Sequence, residues 1–128
     1  MKKTIFYLGI ATLFTHELDA MQNHEWRLLL DDFLLSDLYW KNIFLFVHIP
    51  LFASLIAVVA STKEKIRNRS RIGISIFLIF HGLLHILFSS HLSYEFISIP
   101  SNILIFGGAL FGILYLLLEF MSKRKVMT

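Results

Sequence analysis

The sequence predicts an all-α protein, a four-helix transmembrane bundle with both termini in the cytoplasm, and three observations carry that expectation. The 128-residue chain is 56% hydrophobic and only 16% charged, with a mean hydropathy of +0.69, so it is far more apolar than an ordinary soluble domain. Four apolar stretches, residues 4–21, 43–61, 72–91 and 102–121, approach the roughly 20 residues needed to cross a hydrocarbon core of about 30 Å. The basic residues fall at one end of such a bundle. Lys2 and Lys3 precede the first stretch, Lys63, Lys65, Arg67, Arg69 and Arg71 lie between the second and third, and Lys123, Arg124 and Lys125 follow the fourth. The other two connections hold Glu25, Asp31, Asp32, Asp37 and Glu95, and the positive-inside rule places the basic end in the cytoplasm. No repeat or flexible linker divides the chain, so residues 1–128 read as one membrane domain.

The first stretch, "MKKTIFYLGIATLF", has the basic start and apolar centre of a secretory signal. Cleavage after "THELDA" would use Glu17 and Ala20 as the small-residue pair, and Glu is unsuited to that place; the stretch is expected to remain as a span. Beyond it, the charges of "NHEWRLLLDDFLLSDLYWKN" scatter around a helical wheel, against one long surface helix. The first helix is expected to run on to about Leu30, break near Asp31 and Asp32, and restart before the second span, with Trp26, Tyr39 and Trp40 at headgroup level. In the second span, Pro50 removes a backbone donor and is expected to kink the helix, freeing a carbonyl. In the fourth, Gly108 and Gly112 form a small-xxx-small face. It can receive a helix of the same bundle, a second copy in a homo-oligomer or a membrane partner; the spacing favours none of these. Glu119 and Lys123 are spaced for an ordinary surface ion pair.

With no cysteine, disulfides, thiolate metal sites, iron–sulfur clusters and cysteine nucleophiles are excluded. The net charge of +3 and pI near 9.3 belong to membrane orientation, and no nucleic acid is expected as a partner. The lipid bilayer of the cell membrane, in a bacterium the inner membrane, is the expected surrounding. Any metal site must be built from His, Asp and Glu.

The histidines supply the material. At about 1.5 Å of rise per residue, His16, His48 and His85 all lie about 8–9 Å below the outer boundary. His81 is one turn deeper than His85 on the same face, and Ser89 continues that face upward. On the first helix, Ala20, Asn23, His24 and Arg27 cluster within about 80° of His16, with Glu17 and Asp19 on the flanks. Glu25 points the opposite way, and neither it nor His91 is assigned to the site. A His in an apolar helix is often only packing glue. Ionisable groups in lipid cost roughly 2.5–3.5 kcal/mol each, and their recurrence on three helices at one height points to a purpose.

Zinc accepts three His, or two His and a carboxylate, and an H-x-x-x-H pair on one helix face supplies two ligands. His16, His48, His81 and His85 are the candidate metal ligands, Glu17 and Asp19 the candidate catalytic carboxylates, and Asn23, His24 and Ser89 their supports. Iron fits two His and a carboxylate, whereas a ferritin-like di-iron site would need Glu-x-x-His motifs that are missing. Haem b is the rival cofactor, with His48 and His85 as axial ligands at equal depth.

At "THELDAMQNHEW" and "FLIFHGLLH" the chain resembles the small uncharacterised bacterial four-helix membrane proteins of the HXXEE type, with His16 followed at once by Glu17 and Asp19 in place of a contiguous Glu-Glu pair. The resemblance implies a membrane bundle with a polar site and brings no reaction with it. The expected function is a membrane protein whose outer half binds a divalent metal ion, zinc or iron, and activates water for hydrolysis. A haem protein, a proton- or ion-conducting subunit and a structural subunit without cofactor stay open as alternatives.

Overall fold

The computed structural model describes residues 1–30 and 36–127, and among them every regular element is a helix. They are α1 (Lys2–Gln22), the short α2 (Trp26–Leu30), α3 (Asp37–Val59), α4 (Glu64–Phe88) and α5 (Ile99–Met127). Three are long and apolar enough to cross a membrane: Asp37–Val59, Glu64–Phe88 and Ile99–Ser122. The side chain of Lys123, which the sequence pairs with Glu119, lies outside the described residues; the ammonium of Lys2 binds Glu119 at 2.5 Å, tying the start of α1 to the end of α5.

Hydroxyls in α1 and α4 are satisfied within their own helix, as an apolar setting favours. Thr12 and Thr15 donate their hydroxyls to Leu8 O and Ala11 O, and Ser70 and Ser75 do the same to Ile66 O and Arg71 O. The start of α5 is capped by Ser98, whose hydroxyl accepts the Ser101 amide at 3.1 Å, and Pro100 sits in the first turn, where its missing N–H costs nothing. Pro50 is carried inside α3 without ending it.

The core is α1 and α4 packed on α5, with α3 held more lightly along α4. The backbones of α4 and α5 nearly touch: a Cβ on Gly112 would stand 2.6 Å from the Ser75 carbonyl oxygen. Gly108 faces Leu78 and Thr12, so the small-residue face is filled from within the bundle. One apolar cluster, Phe6, Val59, Ile74 and Tyr115, closes the end that carries the chain start. A second, with Ala20, Trp26, Phe44, Phe96 and Ile105, closes the other end around the histidines.

The first helix stops earlier than the sequence indicates. Its last residue is Gln22, and the Glu25 amide returns to the Ala20 carbonyl at 3.1 Å, the six-to-one bond of a Schellman ending. The residue in the left-handed position of that ending is His24, with φ of 50°; His is among the few non-glycine residues that tolerate it. The expected break at Asp31 and Asp32 lies outside the described residues.

Candidate metal centre

Three imidazoles and one carboxylate meet at the end of the bundle away from the basic loop. His16 comes from α1, His81 and His85 from successive turns of α4, and Glu25 from the turn after α1. One potential ligand atom of each lies within 4.8 Å of all the others. The ring centroids of His16 and His81 are 4.7 Å apart, those of His16 and His85 5.0 Å, and those of His81 and His85 4.7 Å.

The contacts between His81 and His85, and from Glu25 to His16 and His85, are close to the spacing of ligands around a small ion. His85 Nε2 is 3.1 Å from His81 Nε2, and Glu25 reaches within 3.7 Å of His16 Nε2 with one oxygen and of His85 Nε2 with the other. Two donors on a tetrahedral zinc, each at 2.0–2.1 Å, stand about 3.3 Å apart. A gap of 3.7 Å is too long for a hydrogen bond. His16 is 1% exposed, yet both of its ring nitrogens are buried without a hydrogen-bond partner. Buried donors and acceptors are normally paired, because desolvating one without compensation costs about 1–3 kcal/mol. An ion at the centre would engage a His16 nitrogen.

The surroundings hold the ligands in place. Phe96 lies against His85 and His16, at 4.7 and 5.5 Å between ring centroids, and the Tyr94 hydroxyl is 3.4 Å from His85 Nδ1. Burial, and then the Glu25 charge, push the Tyr94 phenol up, so it keeps its proton. Such a contact on the remote nitrogen orients a ligand imidazole. The turn that delivers Glu25 is clamped from both sides. His24 Nδ1 lies 2.8 Å from Glu95 Oε2; Arg27 bonds Asp37 through Nε and Nη2 at 2.9 and 3.2 Å, and the Trp26 indole donates to the same Asp37 at 2.9 Å. Burial, then the charges of Glu17 and Asp19, push the Glu25 carboxyl up to about 8. To be ionised at neutral pH, that carboxyl needs a positive partner. Beside the group, Glu25, Leu28, His81, Leu84, His85 and Phe88 enclose a cavity of about 30 Å³, enough for a water, which needs roughly 10–15 Å³.

The structure thus brings together three of the four histidines chosen from the sequence as ligands, His16, His81 and His85, and leaves the fourth outside the group. His48 pairs with Glu17, Nε2 to Oε2 at 2.8 Å, and its Nδ1 donates to the Phe44 carbonyl; that carbonyl is not the one Pro50 releases, which belongs to Phe46. Equal depth put His48 level with the others, but on a different side of α1. Asp19 keeps one buried carboxylate oxygen without a hydrogen-bond partner, and neither it nor Glu17 lines the cavity. His24 serves the clamp, and Asn23 donates its amide to Asp19 O at 2.8 Å. Ser89 is exposed and donates to Ile86 O, and His91, also exposed, accepts the Ser93 amide; both stand apart from the group. Glu25 is the residue that helical-wheel reasoning missed. The wheel assumed one helix through residue 25, whereas the reversal at His24 turns the side chain inward. Asn23-His24, two residues that tolerate left-handed backbone, was the available signal.

The chain belongs to a family of unknown function (DUF6713), whose family model matches residues 2–122. No curated protein and no solved structure matches it. The family match gives no link to the HXXEE-type proteins and names no activity, which leaves the geometry of the site as the guide to function.

Proposed function

We propose that this DUF6713 protein is a four-span membrane protein that holds one divalent metal ion, zinc or iron, among His16, Glu25, His81 and His85, just beneath the extracytoplasmic face. The observation that carries the reading is the group itself: four ligand atoms within 4.8 Å, one of them on a buried imidazole with no hydrogen-bond partner at either nitrogen. The segment α1 serves as the fourth span. Its 21 residues rise about 31 Å, matching the hydrocarbon thickness, and the ionisable groups near its end face the bundle. Both termini and the Lys63–Arg71 group then lie on the cytoplasmic side, and the metal centre at the other end of the bundle.

An ion in such a site acidifies a bound water, the usual start of hydrolysis. The cavity beside Glu25, His81 and His85 has room for that water, and zinc can expand to five ligands. Glu25 is the carboxylate that reaches it, so the acid–base role first given to Glu17 and Asp19 passes to Glu25, acting on a lipid or other membrane-accessible substrate. Haem fits the site less well: nitrogens 3.1 Å apart leave no room for a macrocycle between His81 and His85, and His48 is engaged at both nitrogens.

The Glu17–His48 contact favours a second reading, a proton-carrying subunit. Because His48 Nδ1 must donate to the Phe44 carbonyl, the 2.8 Å contact of Nε2 with Glu17 requires a proton held by one of the two, and such pairs are the material of proton paths.

Metal analysis and an absorption spectrum of the protein purified in mild detergent separate these readings. One zinc or iron per chain without a Soret band is expected, with the metal lost when His81 and His85 are both changed to Ala. Unchanged metal content in that double variant overturns the site, and a metal-free wild-type protein that cannot be reloaded leaves the proton reading in its place.

A further inference from the structure

The opposite end of the bundle holds a buried cation that the metal centre does not use. Arg71, in the second turn of α4, is 7% exposed. Its Nη2 donates to the Tyr7 hydroxyl at 3.2 Å, and its guanidinium lies 5.5 and 5.8 Å from the ring centres of Phe6 and Tyr7. Its Nε is buried without a hydrogen-bond partner, and among the described residues no carboxylate stands within ion-pair distance of it. A buried charge is normally paired, because desolvating it alone is expensive. Aromatic faces offset part of that cost but leave the guanidinium's planar fork, suited to two oxygens of one anion, incompletely used.

Tyr7 connects this cation to an apolar crevice. The crevice encloses about 260 Å³ between Tyr7, Ile10 and Phe14 of α1 and Leu55, Ile56 and Val59 of α3. It exists because α3 is held mainly along α4 and only lightly against α1. Exposed Lys63, Lys65 and Arg69 stand at the same end of the bundle, so the surface around the crevice is positive. Apolar length beside an unneutralised cation, at the basic face of a membrane bundle, is complementary to a lipid that carries net negative charge.

We propose that Arg71 and this crevice bind one anionic phospholipid of the cytoplasmic leaflet, its phosphate at the Arg71 guanidinium and the Tyr7 hydroxyl and one acyl chain between α1 and α3. A zwitterionic lipid brings a cationic headgroup that Lys63, Lys65 and Arg69 repel, so charge sets the preference. The site is independent of the metal centre, which lies at the other end of the bundle.

The test uses protein purified in detergent and stripped of lipid, then mixed with equal amounts of phosphatidylglycerol and phosphatidylcholine of identical chains, with bound lipid counted by native mass spectrometry. Wild type is expected to retain phosphatidylglycerol at least tenfold over phosphatidylcholine, and Arg71→Gln to bring the two to parity. Because Arg71 is buried and its replacement can disturb folding, Ile56→Trp provides a second reading. Ile56 is 58% exposed, so the larger ring fills the crevice from outside, and phosphatidylglycerol retention should fall tenfold with Arg71 intact. Inorganic phosphate at millimolar concentration should leave the bound lipid in place. Equal retention of the two lipids by wild type, an undiminished preference in Arg71→Gln, unchanged retention in Ile56→Trp, or displacement by inorganic phosphate would each overturn the assignment.

Discussion

The Nε2 atoms of His81 and His85 stand 3.1 Å apart on successive turns of α4, each aimed at the same point as the carboxylate of Glu25. Two neutral imidazoles can face each other this way only if one donates a proton to the other, or if both turn lone pairs toward a shared cation. His16, with no proton partner of its own, favours the cation. Removal of the ion should therefore destabilise the fold. Binding at a thousandfold excess over Kd contributes about 4 kcal/mol. Chelator-treated protein is expected to unfold at a lower temperature, with recovery on adding zinc, while the His81→Ala, His85→Ala double variant ignores zinc. Thermal unfolding in detergent measures this; equal zinc responses in the two proteins would refute it.

Glu25 and Glu17 are expected to separate cleanly. Glu25→Gln keeps the size of the side chain and removes a charged ligand, so metal affinity should fall by roughly 100-fold or more, since even losing a residue that only supports a ligand costs about 10–100-fold. Glu17→Gln alters the His48 contact and removes one charge acting on Glu25 but no member of the group, and should leave affinity within about threefold. Competitive titration with a zinc-sensing dye gives both constants, and equal losses in the two variants would mean the carboxylates act as a diffuse field.

Protons and metal compete for Glu25. Its folded-state pKa is raised to about 8 by burial, with the charges of Glu17 and Asp19 adding to it, against about 4.5 when exposed. Between those values the folded metal-free protein holds a proton on Glu25 that the unfolded chain has released, so the contribution of this group to stability falls as pH rises from about 5 to 8. Binding the ion expels that proton, so affinity should climb over the same interval. From about pH 7 to 8, above the ordinary histidine pKa of about 6.5, the unfolding temperature of metal-free protein is expected to drop with rising pH, while that of the zinc-loaded protein holds or rises. Parallel pH profiles would separate Glu25 from the ion.

Depth and helical spacing made much of this site legible. His81 and His85 follow from their four-residue spacing, and His16 from height along α1, because an unbroken helix converts sequence position into both. His48 shows the limit. Its depth was readable, but its direction depends on how α3 leans against α1 and α4, a tertiary choice that puts it on Glu17. Glu25 was invisible for a different reason: a single left-handed residue, His24, reverses the chain and cancels the wheel from that point on. The spans show the same division. Hydropathy marks the three long apolar helices, whereas the limits of α1 depend on the Schellman turn. The Gly108 and Gly112 face was evident, but not that Ser75 and Leu78 of α4 would lie against it.

Close approach of α4 and α5 accompanies the packing of His85 against Phe96, and it can be tested away from the metal. A methyl group on Gly112 would stand 2.6 Å from the backbone oxygen of Ser75 and 3.3 Å from side-chain atoms of Leu78 and Ile79. The oxygen belongs to the chain itself, so no rotamer change relieves the contact and the helices must part. Overpacking of this kind costs about 1–3 kcal/mol. Gly107, one residue earlier, has nothing within 4 Å of its added carbon, and alanine favours helix there. Gly112→Ala should unfold at a clearly lower temperature and bind zinc more weakly, through displacement of α4, whereas Gly107→Ala should match or exceed wild type in both measurements. If Gly112→Ala proved as stable as Gly107→Ala, the two backbones would not be in contact at Ser75, and the registration of α4 that sets the height of both histidines would need to be redrawn.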